Sequence, residues 1–165
     1  MPSTVEAKPP SSDTSPTYQL ANRLLGGRTV LRRAIRDVTD AHLRIAEGLP
    51  IRALIRLSRD LHEVPTQSFL AVLGISQRNF QRRKEAAERD PAAKLSIEEG
   101  SRLWQFTEIL AQATQTLGSQ EAAEAWLSNP QLGLDGRRPI DLLITAPGAA
   151  LVEGLLLRME FGVYT

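Results

Sequence analysis

The sequence predicts an all-α fold from the spacing of its apolar residues and from the residues at its helix boundaries. Apolar side chains recur three and four residues apart in several segments, as at Leu103, Phe106 and Leu110, which is the spacing of one helix face. Ser or Thr precedes most of these segments, and Gly or Pro follows them. We expect an N-terminal helix-turn-helix domain and a small C-terminal helical domain.

The composition excludes several kinds of site. The chain has 165 residues and no Cys, so it can form no disulfide, thiolate nucleophile or Cys-based zinc site. His42 and His62 lie far apart, and we expect neither a metal nor a cofactor. The N-terminus lacks a signal-peptide pattern, and no apolar run approaches the roughly 18 residues of a membrane span. A cytosolic protein without a membrane partner is therefore expected.

The charges are divided unevenly along the chain. Residues 28–90 carry 13 Lys or Arg against 8 Asp or Glu, whereas residues 91–165 carry 5 against 9. The first of these segments therefore suits a polyanion and the second does not. The alternative is that both are ordinary solvated surfaces of unequal charge.

The domain prediction has three parts. Residues 1–17 are rich in Pro, Ser and Thr and are expected to form a disordered tail. Residues 18–90 are assigned to the helix-turn-helix domain and residues 91–165 to the C-terminal domain. Gly26-Gly27 near the start of the first domain is interpreted as a helix stop, because a phosphate-binding loop needs more spaced glycines and a Lys.

Two supporting helices are expected next. Thr29 can cap a helix that runs to about Val38, with three arginines along one face: Arg28, Arg32 and Arg36. Asp40 can begin a second helix that ends at Gly48. A following helix carries a further arginine stripe, formed by Arg52, Arg56 and Arg59. Whether the first set of arginines contacts nucleic acid or only solvent stays open.

A helix-turn-helix is predicted around Gly74. Thr66 can cap the first helix, Gly74 can make the turn, and Ser76 can cap a basic second helix that is anchored by Ile75 and Phe80. The expected base-reading residues lie in the first turn of the second helix, and the expected phosphate contacts follow them. The candidate DNA-binding residues are Gln77, Arg78, Asn79, Gln81, Arg82, Arg83 and Lys84.

One residue does not fit this motif. Helix-turn-helix units place a second apolar anchor where this chain has Arg83, so Ala86 or Ala87 would have to fill that position. The alternative is a helical hairpin with a solvated basic face.

The C-terminal half is predicted to form four helices. Ser96 begins a helix with Glu98 and Glu99 in its first turn, and its apolar residues form a narrow seam that suits either a core face or a dimer interface. Ser119 caps the next helix, in which Trp126 is expected at the centre of a small core or, alternatively, as an exposed anchor. The last two helices begin at Pro139 and after the cap Thr145, and the final one runs to about Phe161.

The residues from Ala122 to the end resemble the C-terminal toxin-binding domain of the Xre/MbcA/ParS antitoxins. The matching positions are Ala125-Trp126-Leu127, Asn129-Pro130, Pro139, Asp141-Leu142-Leu143, Thr145, Gly148-Ala149, Val152 and Arg158 to Gly162. The Xre-like part of the same family is similar to Gly48-Leu49-Pro50, Gly74-Ile75-Ser76, Arg82-Arg83 and the stretch from Leu95-Ser96 through Ser101-Arg102-Leu103. Arg138 departs from the family pattern, which has a small or hydroxylated residue before Pro139.

This resemblance implies a non-enzymatic antitoxin of a type II toxin-antitoxin pair. Its implied partners are a RES-domain toxin acting on NAD and operator DNA, through which it would repress its own operon. Since operator recognition by this motif normally uses a two-fold dimer, we expect a homodimer within a larger complex with the toxin. The alternatives are a stand-alone transcriptional regulator with a C-terminal sensing or dimerisation domain and, less in keeping with the residues, an enzyme.

The C-terminal segment is the candidate toxin-binding site. A carboxylate beside Tyr164, with Glu160 nearby, could occupy a site built for the anionic pyrophosphate and flat ring of NAD. The alternative is that Phe161 and Tyr164 pack back on the domain core. The candidate residues are Arg158, Glu160, Phe161, Gly162, Val163, Tyr164 and Thr165.

Overall fold

The computed structural model describes residues 14–162, and that part of the chain is built from α-helices. The helices are α1 (Pro16–Leu24), α2 (Arg28–Leu31), α3 (Val38–Glu47), α4 (Ile51–Asp60), α5 (Thr66–Leu73), α6 (Gln77–Arg89), α7 (Ile97–Leu117), α8 (Gln120–Ser128), α9 (Pro139–Leu142) and α10 (Ala146–Glu160). A 3-10 turn covers Leu132–Leu134. Within residues 14–162 the β-type pairings are two isolated bridges, so the predicted all-α fold is confirmed.

The long helix α7 lies at the centre of the fold. It packs against α1, α3, α5, α8 and α10, and four of its seam residues are buried: Leu103, Phe106, Leu110 and Ala113. The seam ends at Leu117, which is half-buried. The seam is therefore a core face, the first of the two alternatives, and residues of α7 outside the seam are buried as well. Ser96 and Glu99 form the capping box that begins the helix. None of the described helices has the length and apolarity that crossing a membrane requires.

The first helix begins inside the segment predicted as a tail. Residues 1–13 lie outside the described residues, but α1 starts at Pro16, before the predicted boundary at residue 17. Ser15 accepts a hydrogen bond from the backbone N–H of Tyr18, and Pro16 occupies the first helical position. Tyr18 then packs on Trp104 of α7, with ring centroids 5.3 Å apart. Local capping and this distant contact together explain the earlier start.

The predicted helix from Thr29 to Val38 is wrong. Helix α2 ends at Leu31, and Arg32 has φ 63° and ψ −46°, a positive-φ conformation that breaks the helix. The physical reason lies in α1, where the side-chain amide of Asn22 accepts a hydrogen bond from the N–H of Ile35 and donates one to its carbonyl. These bonds hold the segment as irregular backbone over the core, so its arginines do not form a single helical face.

Two helix caps differ from prediction by a few residues. Asp37, rather than Asp40, caps α3 by accepting a hydrogen bond from the backbone N–H of Asp40 at 2.8 Å. The Asp40 carboxylate accepts hydrogen bonds from Arg36 instead. Helix α5 begins at Thr66, directly after Pro65, and no side chain caps it. Thr66 is therefore the first helical residue and not the cap. These shifts stay within the usual uncertainty of helix ends.

Trp126 is not at the centre of a core. It is half-buried at the edge of the hydrophobic cluster, while Trp104 and Phe106 of α7 are buried. The Phe106 ring packs on Phe69 of α5 with centroids 4.9 Å apart. The centre is therefore occupied by aromatic residues of α5 and α7, because α7 is the helix that the others surround.

A buried carboxylate links α8 to the loop before α5. Glu124 is 1% exposed and accepts backbone N–H hydrogen bonds from His62, Glu63 and Val64, at 2.8, 2.7 and 3.3 Å. Gln120 donates a fourth hydrogen bond to the other carboxylate oxygen. Charge-assisted bonds of this kind compensate the cost of burying a carboxylate. Glu124 therefore joins the loop that leads into the helix-turn-helix to the C-terminal helices.

Candidate functional site

The turn between α5 and α6 has the predicted geometry. Gly74 adopts the left-handed conformation, with φ 68° and ψ 27°, and its N–H bonds to α5 carbonyls. The Ser76 hydroxyl accepts a hydrogen bond from the Asn79 N–H at 3.1 Å and caps α6. A Cβ at Gly74 would contact the guanidinium of Arg102, which is the end of a flexible side chain and can shift, so it is the backbone conformation that requires glycine here.

Helix α6 turns its apolar residues inward and its polar residues outward. Phe80 and Ala87 are buried, and Ile75 of the preceding turn is buried beside them. Ala87, and not the exposed Ala86, supplies the second anchor of the helix. Five of the candidate DNA-binding residues are exposed on the outer surface: Gln77, Arg78, Asn79, Gln81 and Arg82.

The remaining two candidate DNA-binding residues have partners within the protein. Arg83 is half-buried, and its guanidinium forms an ion pair with Glu99 of α7. The Lys84 ammonium lies 4.9 Å from the centroid of the Phe80 ring. Arg83 therefore occupies its unusual anchor position by pairing with a carboxylate instead of packing an apolar side chain.

Arg102 of α7, which lies in the stretch that resembles the family but for which no particular role was predicted, supports the turn. Arg102 donates from Nη1 to the Leu73 carbonyl at 3.4 Å and from Nη2 to Glu98 at 2.7 Å. The Leu73 carbonyl belongs to the last turn of α5, where cations are favourable. Together with the Arg83–Glu99 pair, this contact holds both helices of the motif against α7. No local pattern predicts the contact with Leu73, because that carbonyl lies on another helix, whereas Glu98 is only four residues away on α7.

The final helix begins as predicted and exposes apolar side chains along its length. Thr145 caps it through a 3.1 Å hydrogen bond from the Gly148 N–H. Leu151 is 58% exposed, Leu157 47% and Phe161 73%. The sequence prediction included Phe161 but missed both leucines. The continuous apolar composition of the helix is a signal that could have indicated them, since α7, α9 and the 3-10 turn cover only part of its surface.

The candidate toxin-binding residues fall into two groups. Arg158 is half-buried on α10, Glu160 and Phe161 are exposed, and Gly162 has φ 67°. Because Phe161 is exposed, its ring does not pack back on the core. Val163, Tyr164 and Thr165 lie outside the described residues.

Arg138 contributes to the loop before α9 in a way that its departure from the family pattern did not suggest. It provides no side-chain cap, but its guanidinium donates two 2.8 Å hydrogen bonds to the Asp141 carboxylate. The 3-10 turn before this loop packs on α10, where a Cβ at Gly133 would meet Leu155 at 2.7 Å. Leu132 in that turn is exposed.

Two carboxylates influence each other where α7 meets α10. Burial raises the pKa of Glu108, and the like charge of Glu153 raises this pKa further, while a hydrogen bond from Trp104 opposes the shift. Burial is also the main cause that raises the pKa of Tyr18, with Glu108 contributing. Ionised Glu108 therefore destabilises this junction.

Comparison with known proteins agrees with this two-part arrangement. A family described as the antitoxin Xre-like helix-turn-helix domain matches residues 40–107. A second, described as the antitoxin Xre/MbcA/ParS C-terminal toxin-binding domain, matches residues 112–162. The first match contains the turn at Gly74, and the second contains α8, α9 and α10.

Proteins that are similar to this chain over much of its length are named as antitoxins. A protein of Pseudomonas putida named Antitoxin Xre is 28% identical over 123 residues, covering 74% of this chain and 72% of the relative. One of Yersinia enterocolitica with that name is 32% identical over 103 residues, covering 62% and 66%. A third, of Photorhabdus laumondii, is 26% identical over 118 residues, covering 71% and 76%. With its helix-turn-helix and its toxin-binding helices in this order, the chain belongs to the Xre/MbcA/ParS family of antitoxins.

Proposed function

We propose that this antitoxin neutralises a RES-domain toxin that degrades NAD, and that the end of α10 blocks the active site of that toxin. The observation that carries the proposal is the exposure of Phe161, at the end of a helix whose other face packs on α7. Leu157, one helical turn earlier, is exposed as well, and neighbouring exposed apolar side chains indicate an interaction site more strongly than a single one does. In this proposal residues 91–165 act on the toxin and residues 18–90 on DNA.

The chemistry of NAD supports the choice of segment. A site that holds NAD must accept flat rings and an anionic pyrophosphate. The exposed Phe161 ring and the neighbouring Glu160 carboxylate offer one group of each kind. Arg158 and residues 162–165 complete the segment that would enter the site, while Leu151 and Leu157 would contact its rim. The expected effect is steric and electrostatic exclusion of the substrate.

Co-expression with a RES-type protein encoded next to this chain tests the proposal. The full-length antitoxin should preserve growth and cellular NAD and should co-purify with the toxin. A variant that lacks Val163 to Thr165 should release toxicity while keeping its helical circular dichroism. If the neighbouring protein does not consume NAD, the RES assignment is wrong. If the truncated variant still protects fully, these three residues do not contribute to occlusion.

We also propose that the antitoxin represses its own operon through α6. The exposed Gln77, Arg78, Asn79 and Gln81 have side chains that can bond base edges, and Arg82 can contact phosphates. Lys84 would contribute a further phosphate contact, and Arg83 would hold α6 in place through Glu99. A two-fold homodimer would present two such helices to an operator, within a hetero-oligomeric complex with the toxin.

A further inference from the structure

A cluster of arginines lies outside both matched family regions. Residues 28–36 contain four of them, namely Arg28, Arg32, Arg33 and Arg36, whereas the helix-turn-helix match begins at residue 40. Neither the operator-reading helix nor the toxin-binding helices include this segment. We refer to these four residues as the arginine cluster.

The segment that carries the arginine cluster is held in a defined conformation. The Asn22 amide bonds both backbone groups of Ile35, and the Ile35 side chain is buried. The Arg44 guanidinium donates hydrogen bonds to the carbonyls of Leu31 and Arg33. Arg32 is held at φ 63°, a conformation that residues other than Gly seldom adopt. The arginines therefore project from a fixed backbone, which lowers the entropy lost when they bind a ligand.

Internal ion pairs leave much of the positive charge of the arginine cluster unneutralised. Arg36 pairs with Asp40 at 2.9 Å, and Arg33 lies 3.8 Å from Glu47 in an exposed contact. Such exposed pairs are weak and screened by salt. Arg28 and Arg32 form no ion pair with any residue in the range 14–162, and both are exposed. The cluster can therefore receive several anionic groups.

The arginine cluster is continuous with the surface around α6. It lines an open groove of about 450 Å³, and a second groove of about 330 Å³ is lined by Arg52, Arg56 and Arg59 of α4 together with Lys84 of α6. A third groove joins them, since it shares Arg32 and Arg33 with the first and Arg52 with the second. Ten Lys or Arg and three Asp or Glu line the three grooves together.

We refer to the three connected grooves as the arginine track. We propose that this track binds the sugar-phosphate backbone of duplex DNA next to the site that α6 reads. A row of arginines that begins beside α6 and leads away from it suits the regular negative charge of a duplex. Contacts of this kind add affinity and fix orientation but do not select sequence. The proposal rests on DNA binding by α6 and adds to it a second surface, which the arginine cluster extends beyond the part of the chain that the family match covers.

The test uses the full-length protein and a fluorescent duplex from the region upstream of its gene. Arg28→Gln with Arg33→Gln removes two exposed charges, and Arg137→Gln with Arg138→Gln removes two charges from the C-terminal half as a matched control. The first pair should weaken binding about tenfold at 0.1 M salt and should lower the slope of log K against log salt by about 1.8, since each lost phosphate contact removes about 0.9. Operator and scrambled duplexes should be affected equally. Arg28→Lys with Arg33→Lys should restore most of the affinity.

Duplex length provides a second readout. Shortening the DNA that flanks the operator should weaken DNA binding by the unmodified protein. It should leave DNA binding by the variant with Arg28→Gln and Arg33→Gln (the Gln pair) unchanged, because that variant has already lost the flanking contact. Equal loss for both proteins, or an unchanged salt slope for the Gln pair, would overturn the proposal. So would a Gln pair that binds DNA normally but no longer retains the toxin, since the track would then be a protein-binding surface. Failure of the unmodified protein to bind any operator duplex would instead reject the proposed function of α6.

Discussion

Arg83 of α6 forms an ion pair with Glu99 of α7, and this pair stands where helix-turn-helix units usually have an apolar contact. The pair is half-buried, so it is less screened than the surface pairs of this protein. Glu99 also completes the capping box of α7, so that one carboxylate serves both helices. The orientation of α6 therefore depends on α7.

Arg83 and its neighbour Arg82 should behave differently on substitution. Arg83→Ala should lower the free energy of unfolding by about 1–2 kcal/mol, because it leaves a partly buried carboxylate with fewer partners. It should leave the salt slope of DNA binding nearly unchanged. Arg82→Ala should keep stability and lower that slope by about 0.9. Urea unfolding and salt titrations measure these quantities, and a reduced slope for Arg83→Ala would show that Arg83 contacts phosphate.

The first turn of α6 should determine sequence preference. Arg78→Ala and Gln77→Ala should each weaken operator binding by about 1–3 kcal/mol, the value of a good base contact. Binding to a scrambled duplex should change far less, and this comparison is the internal control. Gel shifts with both duplexes measure the ratio of the affinity for the operator to the affinity for the scrambled duplex. If operator and scrambled DNA lose affinity equally, these side chains contact only the backbone.

Phe161 should be an energetic centre of the toxin interface. Phe161→Ala should weaken toxin binding by about 2 kcal/mol or more, as expected for an aromatic anchor. Stability should hardly change, because the ring is exposed in the free protein. Val38→Ala is the matched control, since Val38 is also an exposed apolar residue but lies on α3. Calorimetric titration against purified toxin measures the affinity of both variants. Equal affinities would contradict the prediction.

Glu124 should be important for stability. Glu124→Gln should cost about 2 kcal/mol, because a neutral amide accepts the three backbone N–H groups less strongly than a carboxylate. The exposed neighbour Glu121 supplies the control variant Glu121→Gln, which should change stability by less than about 0.5 kcal/mol. Unfolding in urea, followed by circular dichroism, measures both variants. Similar unfolding midpoints for the two variants would mean that the Glu124 carboxylate contributes little to the stability of the protein.

Glu108 should make stability depend on pH in the opposite direction from an ordinary paired carboxylate. Its folded-state pKa is raised, so ionisation disfavours the folded state, and this penalty is fully present above the folded pKa. The penalty declines as pH falls through that value. Glu108→Gln should therefore raise Tm at neutral pH, with a difference that shrinks as the solution is acidified. A Tm difference that grew in acid would contradict the assigned cause.

Most helix boundaries could be predicted because they depend on neighbouring residues. The caps at Ser76, Ser96, Ser119 and Thr145 were predicted and are confirmed, as is Pro139 in the first position of α9. Each cap joins a side chain to a backbone group three residues away. The Gly74 turn is equally local, since it depends on the backbone conformation of one residue.

The positions of the site residues could be predicted only in part. The outward direction of Arg78 and Arg82 follows from helical spacing once Phe80 is taken as an anchor. The pairing of Arg83 with Glu99 does not follow from this spacing, because the spacing within α6 contains no information about α7. For the same reason Leu151 and Leu157 were missed, since their exposure depends on which face of α10 packs against α7.

The sequence by itself determined the helical class, the main caps, the charge division and the resemblance to a family. The first two depend on residues close together in the chain, and the last two depend only on which residues the chain contains and in what order. Only the tertiary structure decided how the chain breaks at Arg32, where Arg83 is held and what Glu124 binds. Those outcomes depend on hydrogen bonds between residues 13, 16 and 60 positions apart, Asn22 with Ile35, Arg83 with Glu99 and Val64 with Glu124. Partners so distant meet only after the helices have packed around α7, which is why no local pattern predicts them.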